Sequence, residues 1–195
     1  MRHESIYIDS RDAPEKRSKF CDDGVEHHFT EAAIMIAFAM YLFDEGASEV
    51  TIHPDGEHVK RHDLLQTLHA KGFVMVSSTG STNYGGCYKR DLHLLTVSPR
   101  PGLGDVTALL NEKQVVAECK GGITNTKHAG QTSHLRKGLC EVIGQLMSRD
   151  PGHERHIAVV PDTLTTRSLA TKMRSRAARA GIEIALVTAT GNVHF

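Results

Sequence analysis

The chain has 195 residues, and its 23 basic and 23 acidic side chains cancel. That length is enough for one domain with a proper core, and the cancelled charge excludes a whole-molecule electrostatic signature of a nucleic-acid or membrane partner, so any charged face must be local. The longest apolar run, AAIMIAFAMYLF at 32–43, is twelve residues, short of the roughly 20 that cross a bilayer.

Residues 1–24 are polar and without period, and read as an irregular arm ahead of one α/β domain at 25–195. Cys21, Cys87, Cys119 and Cys140 lie far apart with no CxxC pair, and the opening MRHESIYIDSRD lacks a basic-then-apolar secretory pattern. The expectation is free thiols in a reducing cytoplasm. A very apolar helix is predicted over 25–43, then a short strand over 48–53 and a Pro54-Asp55-Gly56 turn. Val59, Leu64, Leu65 and Leu68 give one side of a helix over 57–71, followed by a strand at 73–78. Residues 79–90, TGSTNYGGCYKR, read as a loop, and 91–97 as another strand.

Two strands follow at 105–110 and 114–120, within GDVTALLNEKQVVAECKGG. Beyond them come a helix over 131–148, a strand at 156–161, a helix over 163–180, a strand at 181–187 and a short terminal VHF. Near-continuous apolar strands alternating with helices predict parallel strands covered on both faces. The tight turn before them makes the 105–110 strand antiparallel to its neighbour. The fold class is therefore α/β, a mixed central β-sheet flanked by helices.

The hairpin carries the chemistry. If its loop is Asn111-Glu112, Asp105 lies directly opposite Glu118; a four-residue loop puts Asp105 opposite Lys120. Either even loop sets Asp105, Glu118 and Lys120 on one face, and an odd loop without a bulge separates them. Two close carboxylates repel unless a cation lies between them. Mg²⁺ or Mn²⁺, which takes a few carboxylate oxygens and completes its shell with water and substrate phosphate, suits such a sparse ligand set better than zinc does.

Asp105, twelve residues, then Glu118-Cys119-Lys120 on a hairpin followed by a helix and a strand resembles the PD-(D/E)XK nuclease superfamily, with Gly104 where a proline often precedes the acid. The resemblance covers roughly 57–195 and implies a restriction-endonuclease-like fold. It implies Mg²⁺-dependent phosphodiester hydrolysis, most readily endonucleolytic cleavage of DNA. Asp105 and Glu118 would hold the metal with the Cys119 backbone carbonyl, and Lys120 would handle the attacking water. It also implies an acid on the first core helix: Glu57 is preferred, with Glu26 and Glu31 as alternatives. A supporting Gln on the helix after the lysine falls on Gln145, in the stripe Lys137, Glu141, Gln145.

For nucleic acid the candidate contacts are Lys89 and Arg90 in the loop with Tyr84 and Tyr88, Lys127 in the polar loop after Gly122, and Arg167 and Arg174 on the basic helix. A nuclease cutting both strands needs two sites, so a homodimer is expected, with residues 32–43 a candidate interface. Two other readings stay open. One is an inactive nucleic-acid-binding or assembly module of the same fold. The other is a zinc hydrolase built on the histidines at 53, 58, 62 and 69, of which His58 and His62 are spaced i, i+4.

Overall fold

A computed structural model describes residues 19–21, 24–54, 56, 62–150 and 152–195. A very short strand β1 (His28–Phe29) precedes helix α1 (Glu31–Asp44) and strand β2 (Glu49–Ile52). Helix α2 (Leu64–Ala70) and strands β3 (Val74–Ser78), β4 (Gly86–Arg90) and β5 (His93–Val97) follow. Next come the hairpin strands β6 (Val106–Leu110) and β7 (Lys113–Cys119), and then β8 (Gly122–Ile123). Helix α3 (Ala129–Met147), β9 (Arg155–Pro161), α4 (Leu164–Arg179), β10 (Ile182–Val187) and β11 (Val193–His194) complete the described chain.

Among the described residues one large sheet runs β11-β10-β9-β7-β6-β2-β5-β4-β3, and β1 pairs separately with β8. Strands β7, β9 and β10 are parallel, joined by α3 and α4, while β6 is antiparallel to β7. The mixed sheet expected from the alternating pattern is thus present. Val115, Ala117, Ile157, Val159, Ala185 and Val187 face the core that contains α1. Ala158, Val160, Ile182, Ile184 and Leu186 face the opposite core, built from α3 and α4.

Helix α1 is apolar all round, the signature of an interior helix, and Ala32 to Ala39 have no accessible surface. Each buried Ile, Leu or Phe there contributes about 1.5–3 kcal/mol of transfer free energy. Residues 32–43 are therefore the centre of this chain's own core and are not free to form a dimer interface. The helix starts at Glu31, directly ahead of the apolar run, and not at the expected Val25. Thr30 caps it, its hydroxyl accepting from the Ala33 amide at 3.2 Å. Residues 28–29 instead pair with Ile123 and Gly122.

Two further differences have physical causes. The expected loop at 79–90 ends in strand β4, because Tyr88 buries its ring completely and donates its hydroxyl hydrogen to the Tyr84 carbonyl at 2.6 Å. Burial pushes the Tyr88 hydroxyl up to about 12. Neither tyrosine is available to stack on a base, since Tyr84 is also buried. The helix expected over 57–71 appears as α2, capped by Asp63 on the Gln66 amide at 3.0 Å; residues 57–61 lie outside the described residues, as does most of the 1–24 arm. Cys21, Cys87, Cys119 and Cys140 are free thiols, and no described helix is long and apolar enough to cross a membrane.

Candidate active site

The hairpin turns through two residues. Asn111 and Glu112 have φ of 50° and 63°, the left-handed pair that a tight hairpin matching strand twist requires. Val106 pairs with Ala117 and Leu110 with Lys113, and one step further places Asp105 opposite Glu118. Val106 and Ala108 face α1 together with Val115 and Ala117, so alternation sends Asp105, Glu118 and Lys120 to the opposite, α3 side of the sheet. All three predicted charges share one face.

At the end of β6 the Asp105 carboxylate takes the place of a ladder carbonyl, its Oδ2 accepting from the Cys119 amide at 2.7 Å. Burial pushes its pKa up to about 7; the charges of Glu118 and Glu31 push the same way, against the Cys119 hydrogen bond and Lys120. Glu118 is 6 % exposed and accepts a hydrogen bond from Nη2 of Arg149, just beyond α3. Lys120 reaches Glu141 of α3 at 3.0 Å and Glu31 of α1 at 3.5 Å. Burial lowers the Lys120 pKa, but the Glu141 hydrogen bond and the Glu31 and Glu141 charges outweigh it, and the net shift is upward.

Glycines make these approaches feasible. A Cβ on Gly121 would collide with the Phe29 carbonyl oxygen and the Glu31 amide, so only glycine lets the chain after Lys120 pass the start of α1. Gly138 leaves space for the lysine stem, since a Cβ there would sit 3.0 Å from Lys120 Cγ. At Gly104 a Cβ would lie 2.9 Å from the Ala117 carbonyl oxygen, which accounts for glycine at this position ahead of the acid.

Asp105, Glu118 and Arg149 line an open cleft of about 240 Å³ whose other walls include His53 and the Pro99-Arg100-Pro101 loop. His53 donates its backbone N–H to the Asp105 carbonyl at 2.8 Å. It continues the β2–β6 register, so His53, Asp105 and Glu118 form a row across three strands.

The remaining predicted residues fall differently. Glu57 lies outside the described residues; of its alternatives Glu31 joins the site, whereas Glu26 pairs with His28 at 3.2 Å. Gln145 is exposed one turn beyond Glu141, and it is Glu141 of that stripe that touches Lys120. The Cys119 side chain is buried on the α1 face, and burial raises its thiol well above the ordinary range. Arg90 donates to the Lys71 carbonyl at 3.2 Å and lies over the Phe73 ring. Arg167 is bound through two hydrogen bonds, of 3.0 and 2.6 Å, to Asp162. Arg174 lies on the same face of α4 as buried Ala170 and Ala177, its Nε and Nη2 buried without a hydrogen-bond partner among the described residues. Lys89 and Lys127 are exposed.

Arg149, Glu141 and His53 carry parts of the site that the motif does not name. Arg149 follows the Ser148 cap of α3, outside the i, i+4 stripe of 137, 141 and 145, so helical spacing does not place it. A search of family models, curated proteins and solved structures finds no match to this chain.

No group of three or more His, Cys, Asp or Glu side chains among the described residues forms a ready metal cage. His62, one of the histidines considered for zinc, is buried against the Thr67 hydroxyl at 2.9 Å. The donor set at the cleft is two carboxylates, and burial together with the neighbouring Glu118 and Glu31 charges raises the pKa of Asp105 to about 7. That fits a hard divalent cation completed by water and phosphate oxygens.

Proposed function

We propose that this chain is a divalent-metal-dependent phosphodiesterase of the PD-(D/E)XK type, with a restriction-endonuclease-like core, acting as a DNA endonuclease. The observation that carries the reading is the two-residue turn, which sets Asp105 against Glu118 and Lys120 beside them on one face of the sheet.

Asp105 and Glu118, with the Cys119 carbonyl, would hold Mg²⁺ or Mn²⁺, which when bound acidifies a water and neutralises phosphate charge. Asp105 has to give up its proton for this, and its raised pKa sets that step near neutral pH. Lys120, held between Glu31 and Glu141, keeps its proton. Its role is accordingly to orient the attacking water and to stabilise charge on the phosphorane, rather than to accept a proton. Glu31 fills the helix-acid role. The attacking water would lose its proton to bulk solvent as its oxygen forms the new P–O bond, and the ester P–O bond on the opposite side would break, its leaving oxygen taking a proton from solvent.

The test is incubation of supercoiled, linear and single-stranded DNA, and of RNA, with Mg²⁺ or Mn²⁺, for the parent and for Asp105→Ala, Glu118→Ala and Lys120→Ala. Cleavage by the parent alone supports the reading. Equal cleavage by all four proteins points to a contaminant and sinks it, and DNA binding without cleavage by the parent favours the inactive module.

A further inference from the structure

The cleft beside the acids is built with more positive charge than the acid-acid-lysine motif contains. Arg149 is fixed by its hydrogen bond from Nη2 to Glu118, while its Nε is buried with no hydrogen-bond partner among the described residues. A guanidinium has five N–H donors in a planar fork suited to carboxylate on one edge and phosphate on another. The rest of the side chain is partly exposed and lines the cleft, so the fork's other edge is open to an oxygen entering there.

Arg100 stands on another wall of the same cleft. Prolines on both sides restrict its backbone. Its carbonyl accepts from His53 Nδ1 at 2.7 Å and from the Ser98 hydroxyl at 3.3 Å, and its amide donates to that hydroxyl at 3.3 Å. The backbone is thus rigid while the exposed side chain makes no ion pair among the described residues. Arg90, Arg155 and Arg167 are each bound to a partner within the fold, and Arg174 of α4, whose Nε and Nη2 are also buried without a partner among the described residues, does not line this cleft.

We infer that Arg149 and Arg100 form a phosphate clamp, seating a backbone phosphate of the nucleic acid between the cleft wall and the Pro99-Arg100-Pro101 loop. This rests on the phosphodiesterase reading and locates the substrate's path. The strand enters across the loop before β6, beside the row His53, Asp105 and Glu118, rather than along the basic helix α4. Glu118 orients the guanidinium, and the phosphate takes the exposed edge that Glu118 leaves free.

The experiment measures binding of a fluorescein-labelled DNA duplex in Ca²⁺ across a salt series, alongside cleavage in Mg²⁺. Arg100→Met should weaken binding about three- to tenfold and reduce the slope of log K against log salt by about one. Arg149→Lys, which keeps the charge beside Glu118, should fold with the parent's melting temperature and bind about tenfold more weakly. Arg176→Met, at an exposed position of α4, should bind as the parent does.

Binding by Arg100→Met and Arg149→Lys within twofold of the parent, with unchanged slope, overturns the clamp. So does a parent that fails to bind DNA at low salt. If those two variants bind normally while Asp105→Ala abolishes cleavage, the clamp fails and the nuclease reading stands. If binding depends on both arginines while Asp105→Ala cleaves like the parent, the clamp stands and the nuclease reading fails.

Discussion

The parallel strands β7, β9 and β10 carry an arginine–glutamate pair toward each end, and the two pairs are built differently. Near the start of β9 and β10, Arg155 meets both oxygens of Glu183 at 2.6 and 2.9 Å. Its guanidinium lies 5.5 Å from the Phe195 ring. That hydrogen-bonded pair raises the Arg155 pKa, and both carboxylate oxygens are engaged. At the other end, Arg149 gives Glu118 a single hydrogen bond and keeps a buried donor unmet, while Asp105 nearby retains its proton close to neutrality. The first pair is closed and ties two strands together; the second has capacity left over, at the carboxyl ends where open α/β sheets place their ligands. Residue types alone do not separate structure from chemistry here, and neither does an unmet donor, which Arg174 also has; an unmet donor on a side chain that lines the cleft does.

The contrast can be broken most sharply at its two glutamates. Glu118→Ala should lower metal-dependent cleavage by at least about 10²-fold, whereas Glu183→Ala should cleave within about twofold of the parent, in side-by-side single-turnover assays. Glu31→Gln should cost about tenfold in the same assay by releasing Lys120 from one of its two acids.

A second test uses pH. The folded Asp105 pKa is about 7 against an ordinary aspartate value of 3.8, so between those values the native state holds a proton that the unfolded chain has lost. Stability in EDTA should fall as pH rises from about 4 to about 7, by on the order of 2–4 kcal/mol, and level off above. Asp105→Asn should flatten that window in urea titrations.

Smaller effects follow from packing. Gly121→Ala should destabilise by about 1–3 kcal/mol by forcing α1 and the chain after β7 apart, read by thermal or urea unfolding. Smallest of all, Glu183→Ala should cost no more than about 1 kcal/mol of stability, because a pair this exposed is screened by water and salt.

The hairpin register was legible because side-chain alternation and an even loop admit few solutions, and Asn111 tolerates the left-handed backbone its position needs. The three parallel strands were legible for a similar reason, their apolar runs alternating with amphipathic helices. Glu31 was harder to choose. Val25 and Phe29 sit at helical spacing ahead of the apolar run and hide the cap at Thr30, and pairing of β1 with β8 is a non-local contact that no local pattern reports. An acid straight after a threonine and before an alanine pair was the available signal. Strand β4 was hidden by its glycines and tyrosines, which resemble loop residues until Tyr88 is seen to fill the core. The identity of the arginine facing the cleft depended on which neighbours consume the others, a property of the assembled surface.

The short β1–β8 ladder has a consequence for synthesis. His27 and Thr124, 97 positions apart, are joined there by a hydrogen bond, close to where Glu31 meets Lys120. A nascent chain whose hairpin has emerged ahead of α3 lacks the basic companions of Asp105 and Glu118, because Arg149 has not yet emerged and Lys120 has no Glu141 to pair with. Vectorial growth therefore delays the assembled charge cluster until well over half of the polypeptide has emerged.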